Sequence, residues 1–224
     1  MDSTLIIRPA NEADIGAMTT IAATAAPLDQ MRYCFPQRDV YHDDHLDYLR
    51  SRQAGHIANF RKGTHAVMLA EAPCNKNPSV REVVALSVWQ LPGAYTTNAD
   101  GTPKGETAVA QNLGRDVSIP HMQVFMKSIG EAREAFLNRR YGENQLYLLS
   151  LATHPDYHRR GAGTMLCRWG MDKAREEGLV VTLFASAMGK MLYQKLGFKQ
   201  VGMAHVQVDG EEEALDLPAM VAGA

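Results

Sequence analysis

Cysteine is scarce in this 224-residue chain. Only Cys34, Cys74 and Cys167 occur, widely spaced and without any Cys-x-x-Cys pair. That pattern argues against a disulfide framework and against a structural zinc site, and it fits a reducing compartment. An excess of charge of either sign is missing too. The 23 Lys and Arg against 25 Asp and Glu leave a net charge of −2. No global basic field therefore draws the chain to nucleic acid or to an anionic membrane. No apolar run is long enough to cross a bilayer. The first residues, Met-Asp-Ser-Thr-Leu-Ile-Ile-Arg, show no basic stretch followed by a long apolar one. The expectation is no secretory signal, no membrane partner and a cytoplasmic location. Internal repeats and low-complexity segments are absent as well. What is present is a balanced composition, 46% hydrophobic and 21% charged. A chain of this length and mix can bury a core without disulfides or metal, so a single domain over 1–224 is expected.

The periodicity reads as mixed α/β. Residues 5–8 read as a first strand stopped by Pro9, with Asn11 as a helix N-cap and Asp14 three residues on. Ile15, Met18, Ile21 and Ala22 continue that helix to about residue 26. Residues 39–53 read as a second helix with Leu46 and Leu49 inward. Residues 65–71 and 80–91 read as an antiparallel pair joined by a loop at 73–79. Residues 92–120 hold four glycines and three prolines with little periodicity, and a helix is predicted over 124–141. Together they read as an insertion at about 92–142, a kind of segment that often carries function. Then come a strongly apolar strand at 145–153, an amphipathic helix at 161–177 closed by Gly178, and a strand at 179–185. A short helix at 188–196 and two strands at 200–208 and 213–221, joined at Asp209-Gly210, complete the order.

The informative stretch is Leu146-Tyr-Leu-Leu-Ser-Leu-Ala-Thr-His-Pro-Asp-Tyr-His-Arg-Arg-Gly-Ala-Gly-Thr164. A buried strand ends at a His-Pro-Asp turn, and a basic, glycine-rich loop opens directly into a helix. Gly161 and Gly163 remove side chains where backbone must approach a ligand closely. The first turn of a helix offers unpaired N–H groups and the positive end of the macrodipole, an arrangement that binds phosphate. Arg159 and Arg160 add positive charge beside it. A lone Gly-x-Gly is weak evidence. Here basic residues precede it and a Tyr-x-x-x-Gly-Phe element follows about 30 residues later, at Tyr193 to Phe198. The stretch lacks the Gly-Lys-Ser/Thr of a P-loop and the third glycine of a dinucleotide fingerprint.

The run His158-Arg159-Arg160-Gly161-Ala162-Gly163 resembles the Gln/Arg-x-x-Gly-x-Gly/Ala pyrophosphate loop of the GNAT acetyltransferase superfamily. Leu192-Tyr193-Gln194-Lys195-Leu196-Gly197-Phe198 resembles that family's Leu-Tyr-x-x-x-Gly-Phe segment. The match covers about residues 146–208, and the stretch is similar to uncharacterised fungal members. The resemblance implies a mixed, mostly antiparallel central sheet, flanked by helices and splayed between strands 145–153 and 179–185. It implies acetyl-CoA as cosubstrate, with the pantetheine arm in that gap. Backbone groups of Leu151 and Thr153 would pair with the arm, one N–H polarising the thioester carbonyl, and Ala152 between them counts with the cofactor-binding residues. The loop His158, Arg159, Arg160, Gly161, Ala162, Gly163 and Thr164 would hold the pyrophosphate. Tyr193 would protonate the departing thiolate; its alternative is a core tyrosine packing under Phe198. The departure is His158, which stands where the family has Gln or Arg and retains one hydrogen-bond donor. The family often has an Asn near the end of strand 179–185, where this chain has Ser186 and Met188.

The implied reaction moves an acetyl group to an amine, with a small-molecule acceptor first, a protein amine second, and a non-catalytic acyl-CoA sensor third. A homodimer is compatible with the sequence. The general base is not visible. Glu71, Glu106, His121, His154 and Asp156 are the candidates, each with a structural role as its alternative, and His154 is expected to shape the turn before Pro155. Trp89 and Tyr95 would line an acceptor pocket or, for Trp89, fill core. No metal is expected: Asp43, Asp44 and His45 read as a solvated helix face, and residues 211–213 as a solvated run.

Overall fold

The computed structural model describes residues 5–25, 29–94 and 113–223. Strand β1 (Ile6–Pro9) leads through a short 3-10 turn into α1 (Ile15–Thr24), followed by α2 (Asp29–Cys34) and α3 (His42–Arg61). Strands β2 (His65–Pro73) and β3 (Arg81–Gln90) form a hairpin. Helix α4 (Ile119–Arg133) passes through a π-helical turn at Glu134–Asn138 into α5 (Arg139–Tyr141). Then come β4 (Gln145–Thr153), α6 (Ala162–Glu176), β5 (Val180–Phe184), α7 (Ala187–Lys195), β6 (Lys199–Gln207) and β7 (Ala214–Ala222). The mixed α/β class is as the sequence reads it.

Seven strands form one sheet in the order β1-β2-β3-β4-β5-β7-β6. Every neighbouring pair is antiparallel except β4–β5, which is parallel. Strand alternation sends Leu146 and Leu148 into one core with Cys167 of α6, while Tyr147 packs on the opposite face with Leu137. Helices α6 and α7 cover the first face. On the second, α1 and α3 cover β2 and β3 through Met18, Ile21 and Ile57, and α2 with α4 covers β6 and β7 through Tyr33, Phe35 and Ala132.

Two glycines set close approaches. A Cβ on Gly170 would lie 2.2 Å from the Trp89 ring, so α6 settles directly on β3. A Cβ on Gly202 would lie 2.3 Å from Phe136, so the π turn presses onto β6.

The N-terminal cap forms as the sequence suggests. Asn11 accepts from the Ala13 N–H at 2.9 Å, and Asp14 accepts from the Asn11 N–H at 2.8 Å. Helix α3 corrects two expectations. It runs to Arg61 rather than stopping at 53, because its buried stripe continues through Gln53, His56 and Ile57. Its first turn is solvated only in part: Asp43 is exposed, but Asp44 and His45 are held. Asp44 accepts from the Arg115 N–H and guanidinium at 2.8–2.9 Å, and buried His45 donates through Nδ1 to buried Asp116 at 2.8 Å. Burial pulls His45 below the usual imidazole range, against the opposing pull of Asp116. Among the described residues no group of His, Cys, Asp and Glu is placed to hold a metal ion, and no helix is long and apolar enough to cross a membrane.

Candidate active site

The site begins with a failure of pairing. Strands β4 and β5 pair from Gln145–Val180 to Leu148–Leu183 and no further. Against β3, Trp89 faces Leu148 but Val88 faces Ser150, so Leu149 is an extra residue on β4. Such a bulge bends its strand and strengthens its twist. It falls where the β5 pairing stops. Beyond Phe184 the chain stays with β7, where the Ala185 N–H donates to the Pro218 carbonyl at 2.9 Å. A gap therefore opens beside residues 149–153.

Which backbone groups face that gap follows from one bond. The His154 N–H donates to the Val84 carbonyl at 2.8 Å. Backbone groups alternate direction along a strand. His154, Ala152 and Ser150 therefore turn theirs to β3, and Leu151 and Thr153 turn theirs to the gap. The Ala152 backbone is paired with β3, and its side chain packs on the α1 face beside the Met18 and Leu86 cluster.

After Thr153 the chain makes a 3-10 turn at Pro155–Tyr157, with His154 as its cap accepting from the Asp156 N–H at 3.3 Å. Next is the loop. Arg159 takes a left-handed φ of 61°, and Gly161, the N-cap of α6, a φ of 96°. The first intrahelical bond runs from the Met165 N–H to the Gly161 carbonyl at 2.9 Å. The N–H groups of Ala162, Gly163 and Thr164 lie ahead of it and have no helical acceptor. No carbonyl among the described residues accepts from Arg159, Arg160 or Gly161. A Cβ on Gly163 would stand 3.5 Å from Thr153 Oγ1 and 3.8 Å from Leu192 of α7. The helix opening, the end of β4 and α7 thus meet at one point beside the gap.

The three basic side chains separate. His158 Nε2 donates to the Thr153 carbonyl at 2.9 Å, so its one donor is spent inside the protein. The Arg160 guanidinium turns away from the helix opening. It donates to Asn75 Oδ1 and to the Asp156 carbonyl, each at 3.0 Å, and stacks 4.7 Å from the Tyr157 ring centroid. Arg159 is exposed at the turn between them.

Tyr193 lies on α7, whose N-cap Ser186 accepts from the Gly189 N–H at 3.1 Å. The tyrosine is 7% exposed and packs in the core cluster with Cys167 and Leu148, its ring 5.5 Å from Phe198. Burial raises its pKa far above the usual phenol range. The side chain is a neutral phenol. It is also the core tyrosine under Phe198 that the sequence left as an alternative; the two roles are compatible.

The base candidates divide on geometry. Glu71 is held by Arg8 Nε at 2.6 Å, with Arg81 at 3.7 Å. His121 stacks on Tyr33 with Nδ1 2.8 Å from the Tyr33 carbonyl and Nε2 2.7 Å from Glu211. Both ring nitrogens face acceptors, which favours an imidazolium rather than a base. The Glu211 and Tyr33 oxygens raise its pKa and outweigh the burial that lowers it. Glu211 thus bonds to α4 while residues 211–213 stay exposed. Asp156 is exposed, and Trp89 is fully buried core whose Nε1 donates to Ser87 Oγ at 2.9 Å. Glu106 and Tyr95 lie outside the described residues.

Residues 121–200 match the family model described as an acetyltransferase (GNAT) domain. A protein named acetyltransferase from the fungus Stachybotrys chartarum is 24% identical over 214 residues, covering 92% of this chain and 86% of that one. An agmatine N-acetyltransferase mutant in its apo form superposes with a TM-score of 0.64 at 14% identity, covering 98% of this chain and 99% of that one. The PaiA N-acetyltransferase of Thermoplasma acidophilum, solved with coenzyme A, superposes with a TM-score of 0.50 at 11% identity, each chain covered to 97%. Residues 121–200 thus resemble a GNAT acetyltransferase domain, and the whole chain shares the fold of these solved N-acetyltransferases.

Proposed function

We propose that the chain moves an acetyl group from acetyl-CoA directly to an amine of a small molecule. The observation that carries this reading is the end of β4–β5 pairing at Leu148–Leu183 beside the open N-terminus of α6. A pantetheine arm is an extended amide chain, and it can pair with the free edge at Leu151 and Thr153 as a strand would. The Thr153 carbonyl already accepts from His158, so its N–H and the two polar groups of Leu151 are the natural partners. The diphosphate would take the N–H groups of residues 159–164, with Arg159 adding charge. That a fold relative was solved with coenzyme A supports the donor.

The amine nitrogen attacks the thioester carbonyl carbon. A gap-facing N–H stabilises the resulting oxyanion. The carbon–sulfur bond then breaks, neutral Tyr193 gives its proton to the leaving thiolate, and the amine proton, passed to water, is returned through water to restore the phenol. A small acceptor is favoured by the packing of α2 and α4 over the β7–β6 face, which covers that side of the sheet among the described residues. The agmatine enzyme among the fold relatives fits this acceptor class. The whole chain acts as one catalytic domain, with the segment at about 92–142 as its insertion.

The test is thiol release from acetyl-CoA with a library of amines and with peptides. Release with small amines supports the reading. Release with peptides alone moves the acceptor to protein. Saturable acetyl-CoA binding with no release from any acceptor makes the chain a sensor.

A further inference from the structure

Tyr157 lies just before the loop and is 4% exposed. Its hydroxyl oxygen accepts from the Asn75 N–H at 2.9 Å and donates to the Glu82 carboxylate. Both partners belong to the β2–β3 hairpin, more than 70 residues away in sequence. The Tyr157 ring carries the Arg160 guanidinium on its face at 4.7 Å, and that guanidinium donates back to Asn75 Oδ1 at 3.0 Å. The loop is thus held on two sides. His158 ties it to β4 through the Thr153 carbonyl, and Arg160 ties it to the hairpin. Arg159 is left between the two ties in the left-handed conformation that an ordinary side chain disfavours.

We infer that Arg160, Tyr157 and Asn75 form a latch that sets the shape of the diphosphate loop, and that Arg160 is a positioning residue rather than a phosphate ligand. This rests on the acyl-CoA reading of the loop and deepens it. A guanidinium with two nitrogens donating to protein oxygens and its face on a tyrosine is already placed. Its charge was the reason to expect it on the diphosphate, but its contacts point to the hairpin. The loop binds through backbone N–H groups, whose directions depend on φ and ψ at residues 159–161. A tie on each side of that turn fixes those angles before the ligand arrives, which lowers the ordering cost of binding.

The latch and a direct phosphate contact make opposite predictions for Asn75, which is at the far end. The variants are Asn75→Ala on the exposed hairpin, Arg160→Met, Tyr157→Phe and the Asn75→Ala/Arg160→Met double, with coenzyme A affinity read by calorimetry at two salt concentrations. The latch predicts that each single variant weakens affinity about 5- to 20-fold, a range set by losing one or two modest polar contacts. The double should be no weaker than the worse single, and the salt slope should be unchanged. Full affinity in Asn75→Ala, additive losses, or a reduced salt slope in Arg160→Met would overturn it. Amide hydrogen exchange of the free protein at Tyr157, His158 and Met165, whose N–H groups donate to the His154, Pro155 and Gly161 carbonyls, separates this inference from the acyl-CoA reading. Faster loop exchange in all three single variants supports the latch even where wild-type protein binds no coenzyme A, an outcome that would sink the acyl-CoA reading alone. Unchanged exchange sinks the latch.

Discussion

His158 donates from Nε2 to the backbone carbonyl of Thr153 across 2.9 Å, joining the loop to the last residue of β4. The side chain that the motif comparison puts on the ligand thus braces the strand against the loop. His158→Ala should therefore loosen the loop without unfolding the protein. One exposed hydrogen bond contributes about 1 kcal/mol. Acetyl-CoA affinity should fall about fivefold with the melting temperature nearly unmoved, as calorimetry and thermal unfolding can measure.

The two loop glycines should respond differently. Gly161 holds φ 96°, where any Cβ is strained, and Gly161→Ala should destabilise the fold by about 1–2 kcal/mol and weaken acetyl-CoA binding. At Gly163 a Cβ would make ordinary contacts at 3.5 and 3.8 Å. Gly163→Ala should keep wild-type stability in urea unfolding.

Tyr193→Phe keeps the ring against Phe198 and removes only the hydroxyl. If the phenol protonates the thiolate, kcat should fall by about 10²-fold, the low end for general acid catalysis, while acetyl-CoA affinity stays within a few-fold. Because burial raises the phenol pKa, wild-type activity should show no alkaline limb from Tyr193 below pH 10. A stopped-flow pH profile of both proteins measures this.

His56 predicts an acid sensitivity of the fold. It is buried, with Arg52 and His65 nearby, and its pKa is lowered from 6.5 to about 3, chiefly by burial. The folded protein keeps it neutral while the unfolded chain takes up a proton below pH 6.5. The stabilisation is complete above pH 6.5 and is lost as pH falls toward 3, at up to about 1.4 kcal/mol per pH unit. His65 is lowered as well, again mainly by burial, and adds in the same direction. Urea unfolding between pH 7.5 and 4.5 should show a shallower decline in His56→Leu than in wild type.

Local signals were legible in the sequence and long-range ones were not. The bounds of β4, the glycine start of α6 and the Asn11 cap were readable because each is written in adjacent residues. The splay was available only through resemblance, because the Leu149 bulge is a mismatch of register between two strands that no local pattern announces. The Arg160–Asn75 contact joins residues 85 apart, so sequence showed only a charge beside glycines and suggested a phosphate ligand. Asp44 and His45 looked solvated because their partners, Arg115 and Asp116, come from beyond two intervening strands. Helix α2 was missed because six residues between Pro27 and Pro36 carry too little periodicity to read.

The most direct test of the central claim is amide hydrogen exchange with and without acetyl-CoA. The account predicts protection of the Leu151 and Thr153 amides and of residues 159–164, and little change at Ala152, which is already bonded to β3. Acetyl-CoA binding that leaves residues 151, 153 and 159–164 unprotected, or no binding at all, would contradict it.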